Sequence, residues 1–269
     1  MKERIYKTRC GEIHYWINPD GDSKEKQIVF LPGLTTDHRL FEKQIEYFEG
    51  KYPVFVWDPP AHATSYPFDL DFSLADKARW LDEILEENGF DKPVIVGQSM
   101  GGYLGQMYIQ LFPEKIVGFI SIDSAPLQKQ YYTGIELWLL HRVTPVYRHY
   151  PWKTLVRQGT KGVATSEYGR GLMRYFMMTY EGNQERYAKL AGSGFKILVE
   201  AVEEELPYEI KCPAELICGT KDMAGSTKRY NRAWHKKSNL PIHWIEGAGH
   251  NANTDCPEEV NKIIEEFLK

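Results

Sequence analysis

The five residues Gly97-Gln98-Ser99-Met100-Gly101 have the types and spacing that a nucleophilic serine requires. Such a serine projects from a tight strand-to-helix turn, and the turn leaves no room for side chains at two flanking positions. An apolar run at 94–96 precedes the segment, and a helix-period stretch at 103–111 follows it. The amide of Met100, at the start of that helix, is then placed to donate to a developing oxyanion, helped by the positive helix end. A serine hydroxyl is a weak nucleophile until a histidine takes its proton, and that histidine must be held by a carboxylate. Of the eight histidines, His14 and His243 fall in strand patterns, and His141, His149 and His235 in polar helical stretches. His250 stands apart, in the glycine-rich run Glu246-Gly-Ala-Gly-His250-Asn251 just after an apolar strand. Loops at the C-terminal ends of strands are where an α/β sheet keeps its ligand-facing groups. Asp222, in Cys218-Gly-Thr-Lys-Asp222, follows a strand in the same way and is the candidate carboxylate.

These loops need a sheet to carry them. Strand-length apolar runs occur at 27–31, 54–57, 94–96, 116–122, 215–218 and 242–245, alternating with helix-period segments. That alternation predicts an α/β fold with a mostly parallel central sheet flanked by helices. Residues 5–9 and 12–17, parted at Gly11, read as an antiparallel hairpin leading into it. Ser73 and Asp76 form a capping box for a helix with Leu74, Ala78, Leu81 and Leu85 on one face and a stop at Gly89. Pro257 opens a last helix that turns Val260, Ile263, Ile264, Phe267 and Leu268 to the sheet.

Between Asp123 and Pro207 the strand rhythm stops. Helices are predicted at 135–143, 172–180 and 187–203, with breaks at 159–162 and 192–194. The reading is a core of residues 1–123 and 208–269 with a helical cap, 124–207, inserted after the sixth core strand. Met173, Met177 and Met178 at helical spacing fit a core stripe, or an adaptable apolar pocket wall. Residues 127–199 carry 11 Lys/Arg against 4 Asp/Glu, a net +7, which leaves −11 on the rest of a chain of net charge −4. This is either a solvated helical surface or an attractor for an anionic substrate or an anionic surface.

The chain has 269 residues, 42% hydrophobic and 26% charged, with a mean hydropathy of −0.47. Disorder and a membrane-spanning helix are both excluded by these values, and a pI near 6.1 gives no global basic footprint for nucleic acid. Residues 1–10 lack the apolar stretch of a secretory signal, and Cys10, Cys212, Cys218 and Cys256 are dispersed. Reduced thiols in a cytoplasmic protein are expected, with no zinc site. Neither a nucleotide-binding glycine loop nor a metal-ligand motif occurs, so no cofactor and no metal are implied.

The segments 27–123 and 212–269 resemble the α/β-hydrolase superfamily, most specifically at 97–102, 219–222 and 247–250. The resemblance implies Ser99 as nucleophile, His250 as general base and then acid, and Asp222 as the orienting carboxylate. It also makes Phe30-Leu-Pro-Gly33-Leu34 similar to the family's oxyanion loop, with the Leu34 amide as second donor beside Met100. Some relatives carry the acid at the end of the preceding strand, so Asp123 remains a rival to Asp222. Many relatives have glycines where Ala61 and Ala63 follow Asp58, so this loop is expected to take another path, with His62 a structural imidazole or a lining of the pocket mouth.

The expected activity is cofactor-independent serine hydrolysis of a small acyl substrate, most simply a carboxylic ester. Lactone, thioester and C–C cleavage use the same constellation, and a ligand receptor that hardly turns over keeps it too. Oligomeric state is left open by the sequence.

Overall fold

The computed structural model describes residues 1–18 and 26–269. Eight strands form one sheet: β1 (Lys2–Lys7), β2 (Glu12–Ile17), β3 (Ile28–Leu31), β4 (Val54–Trp57), β5 (Val94–Gln98), β6 (Gly118–Ile122), β7 (Ala214–Gly219) and β8 (Ile242–Ile245). Their order is β1-β2-β4-β3-β5-β6-β7-β8. β1 and β2 pair antiparallel, β2 meets β4 antiparallel, and every later pairing is parallel. The hairpin turns earlier than the apolar pattern suggests, because the Thr8 hydroxyl accepts the amides of Cys10 and Gly11 and closes the turn there.

Every residue of β3, β4, β5 and β6 is buried, as continuous apolar runs in a sheet covered on both faces should be. Alternation along the strands divides them between two cores. Ile28, Phe30, Val54, Val56, Val94 and Val96 pack with helices α1 (Glu42–Phe48) and α11 (Pro257–Leu268). Val29, Leu31, Phe55, Trp57 and Ile95 pack with α2 (Leu74–Glu87) and α3 (Met100–Leu111) on the other face. The predicted box at the start of α2 is present, with the Ser73 hydroxyl accepting the Asp76 amide and Asp76 accepting the Ser73 amide.

Between β6 and β7 lie five helices: α4 (Gly134–Leu140), α5 (Val143–His149), α6 (Trp152–Lys161), α7 (Glu167–Met178) and α8 (Gln184–Glu203). α9 (Thr227–Ser238) and the short α10 (Ala252–Asp255) complete the set. The break expected at 192–194 is absent, and α8 runs through it for 20 residues. These glycines serve close approach. A Cβ on Gly192 would stand 1.8 Å from Thr144 Oγ1, and one on Gly194 would stand 2.4 Å from Leu34 Cδ1. α6 runs through Gly159 to Gly162, its C-cap, and was not expected at all; Leu155, Val156 and Thr160 form its buried side. Met173 and Met177 are buried in the core, with Met178 packed against it. Among the described residues no helix is long and apolar enough to cross a membrane.

The loop after β4 corrects a second expectation. Ala61 and Ala63 adopt φ of 71° and 37°, so the chain takes the left-handed path despite having no glycine. Asp58 holds it there: one carboxylate oxygen accepts the His38 amide and ring nitrogen, and the other accepts the amide and hydroxyl of Thr64. Ser65 adds a bond to the Asp58 carbonyl and accepts the His14 amide. A left-handed alanine costs about 1 kcal/mol, close to what glycine loses by its larger unfolded-state freedom. Ala63→Gly should therefore change stability by less than about 0.5 kcal/mol, while Ala75→Gly inside α2 should lose about 1 kcal/mol. Denaturant midpoints measure both, and equal losses would show that Asp58 leaves no strain at residue 63.

Candidate active site

β5 ends against the start of α3 with almost no space between them. A Cβ on Gly97 would lie 2.4 Å from the Gly101 carbonyl oxygen, and one on Gly101 would lie 1.8 Å from that of Leu31. Ser99 sits between these contacts at φ 50°, ψ −114°, a strained conformation that turns its side chain out of the chain path. Its amide donates to the Ile122 carbonyl at 2.9 Å, and its carbonyl accepts the Ser124 hydroxyl at 2.7 Å.

The loops after β7 and β8 bring the other two residues to the same point. Ser99 Oγ lies 2.9 Å from His250 Nε2, and His250 Nδ1 lies 2.9 Å from Asp222 Oδ2. The Asp222 carboxylate is fully buried, and the His250 ring is 13% exposed. Asp222 Oδ1 accepts the Ala224 amide at 2.7 Å, which fixes the carboxylate plane. With Nδ1–H donated to Asp222, Nε2 presents its lone pair to the hydroxyl. Burial works against a charge on His250, but the neighbouring carboxylate outweighs it, so its pKa is raised above the ordinary 6.5.

Asp123 does not touch His250 through a hydrogen bond. Its Oδ1 accepts the Gly219 amide at 2.7 Å and its Oδ2 the Ala252 amide at 2.9 Å, tying the end of β7 to α10. Burial first, then the Asp222 charge, push its pKa well above the carboxylate range.

The amides of Leu34 and Met100 make no hydrogen bond among the described residues. Gly33, which precedes Leu34, approaches the serine so closely that a Cβ there would sit 3.3 Å from Ser99 Cβ. His62 is buried, and its Nδ1 is hydrogen-bonded to the Pro60 carbonyl at 2.9 Å.

Several positioning residues carry no motif and escaped the sequence reading. Gln98 Nε2 donates to the His250 carbonyl and to Asn251 Oδ1, both at 2.9 Å, and so pins the histidine loop to the serine turn. A glutamine closing an otherwise apolar strand was the available signal. Asp255 accepts the amides of Gly249, Thr165 and Ser166, joining that loop to the segment before α7.

The profile of the Alpha/beta hydrolase family matches residues 28–263. The (E)-2-((N-methylformamido)methylene)succinate hydrolase of Acinetobacter baylyi is 22% identical over 95% of this chain and 94% of its own length. From the same organism, 3-oxoadipate enol-lactonase 2 is 22% identical over 93% of this chain and 91% of its own. Among solved structures, Est816, described as an N-acyl homoserine lactone degrading enzyme, superposes with a TM-score of 0.78 at 16% identity, covering 98% of this chain and 100% of that one. A parallel sheet with a glycine-flanked serine turn, and a profile match spanning most of the chain, lead to one conclusion: this protein belongs to the alpha/beta hydrolase family.

Proposed function

We propose that the protein is a serine hydrolase that cleaves a carboxylic ester of a small acyl substrate through an acyl-enzyme. The observation that carries this reading is the unbroken relay from Ser99 Oγ to His250 to Asp222, at 2.9 Å for each link, on a strained turn. Ser99 Oγ attacks the carbonyl carbon while its proton passes to His250 Nε2. The carbonyl oxygen gains the negative charge between the free amides of Leu34 and Met100. Collapse of this intermediate expels the alcohol, which takes the proton from Nε2. Water then attacks the acyl group, gives a proton to Nε2, and the acid leaves as Ser99 regains its hydrogen. Residues 124–207 act as the cap over this site, and residues 1–123 and 208–269 as its core. The names of the relatives support hydrolysis in general; a lactone, being a cyclic ester, would be opened by the same steps.

Three measurements test the assignment. Ser99→Ala should fold and lose roughly 10⁴- to 10⁶-fold in ester turnover, together with labelling by a fluorophosphonate. Retention of a tenth of the activity removes Ser99 from the role.

Asp222→Asn should lose on the order of 10⁴-fold in kcat, because the amide cannot fix the tautomer or balance an imidazolium. Asp123→Asn should cost far less, since its oxygens serve backbone amides. The reverse ranking would assign the acid to Asp123.

The active form needs neutral His250, so kcat/KM for a neutral ester should fall as pH drops through its folded-state pKa. The raised value places that midpoint above 6.5. In Asp222→Asn the carboxylate charge is gone and the midpoint should move to lower pH. A midpoint that is unchanged between the two proteins would mean that another group controls the acid limb.

A further inference from the structure

Two neighbouring spaces that share Leu70 and Leu190 lie between the loop after β4 and helix α8. The outer cleft, about 310 Å³, is lined by Tyr66, Leu70, Arg186, Lys189 and Leu190 among others. Leu70 and Leu190 also line a narrow inner cavity of about 10 Å³, room for roughly one water molecule. Leu34 and Met100, whose amides make no hydrogen bond among the described residues, also line the inner cavity, and Met100 directly follows Ser99 in the chain. Its wall includes Lys77 and His62.

Lys77 is an unusual residue to find there. It lies on the buried face of α2 and is 4% exposed. Its ammonium makes no hydrogen bond and no ion pair among the described residues. Lysine is almost never buried without a counter-ion, because the charge loses its water and gains nothing. Burial draws Lys77 down to about 8, as expected of an ammonium that has lost its water. His62 is neutral beside it, held down to about 4 by burial and by the Lys77 charge. With Nδ1 donating to Pro60, His62 keeps Nε2 as a buried acceptor without a partner. The cavity thus offers one unpaired basic group and one unpaired acceptor, in a wall shared with Leu34 and Met100 and beside a cleft lined by Arg186 and Lys189.

We propose that Lys77 is the counter-ion for a carboxylate carried by the acyl substrate, so that the inner cavity is an anion subsite beside the oxyanion amides. His62 Nε2 accepts a hydrogen bond from a water or hydroxyl held with that carboxylate. A carboxylate is larger than the one water this cavity holds, so Leu190 and Ile197 in its wall must shift to admit it. This rests on the reading of Ser99 as an acylated nucleophile, and it adds the class of substrate: an ester whose acyl part ends in a carboxylate.

The test compares kcat/KM for the mono-p-nitrophenyl ester of glutaric acid with that for p-nitrophenyl butyrate. The ratio should favour the glutarate ester in the wild type, fall by roughly 10- to 100-fold in Lys77→Met, and be largely kept in Lys77→Arg. A wild-type ratio no higher than that of Lys77→Met overturns the proposal. A second measurement does not depend on turnover: glutarate itself should raise the melting temperature of Ser99→Ala but not of Ser99→Ala/Lys77→Met. Equal shifts, or none in either, reduce the cavity to a water-filled structural pocket and overturn the subsite. If Ser99→Ala hydrolyses butyrate as well as the wild type, the serine reading fails, while the glutarate shift still judges Lys77.

Discussion

The structure turns on the contact between the first turn of α3 and the end of β3. With 1.8 Å between a notional Cβ at Gly101 and the Leu31 carbonyl oxygen, no side chain can be accommodated there. The helix is thereby seated directly on the sheet, and the connecting residue, Ser99, has no route except a strained one. Such strain costs on the order of 1–3 kcal/mol and persists only where the surroundings over-determine it. Here the Ile122 carbonyl, the Ser124 hydroxyl and the packed helix do so. The same seating leaves the Met100 amide unbonded, and Gly33 brings the Leu34 amide to the same side. The strained serine turn and the unbonded Met100 amide are therefore consequences of one backbone-to-backbone approach.

The second constraint is electrostatic. Asp123, Cys218 and Asp222 present ligand-type atoms within 4.8 Å of one another in a fully buried setting. Two carboxylate charges so close in low dielectric repel strongly, and one carboxyl is pushed toward its protonated form. Asp123 is the one whose pKa rises, by burial and by its neighbour. Asp222 is the carboxylate that faces the imidazole, its Oδ2 lying 2.9 Å from His250 Nδ1. Two acids that each follow a strand thus divide between bracing the chain and facing the imidazole ring.

Much of this was legible before any coordinates. Apolar runs located six of the eight strands because a sheet covered on both faces needs uninterrupted hydrophobic residues, the hairpin was read from its parting at Gly11 with its first strand placed too late, and Gly97, Ser99, Gly101, Asp222 and His250 stood in telling local contexts. What escaped depended on tertiary partners. The alanines at 61 and 63 follow Asp58 and its four bonds, which outweigh the backbone preference of each residue. Gly192 and Gly194 looked like breaks because propensity cannot see Thr144 and Leu34 arriving against them. Lys77 was readable in principle: it lies three residues after Leu74 and four before Leu81, on the stripe that the apolar spacing marks as buried. A charge on such a stripe is a signal in itself.

Asp255 carries a consequence for how this chain can be recombined. Its carboxylate gathers three amides, one from the histidine loop and two from the approach to α7, and the Asn251 amide adds a bond to the Val163 carbonyl. The helices between β6 and β7 are therefore not a detachable module resting on the sheet. Exchanging them for the equivalent stretch of a relative would strip Asp255 of its partners from residues 165 and 166 and loosen the loop that carries His250. Any exchange of these helices must therefore change residue 255 together with them, or supply two amides at the same place. The fold's apparent modularity ends at that carboxylate.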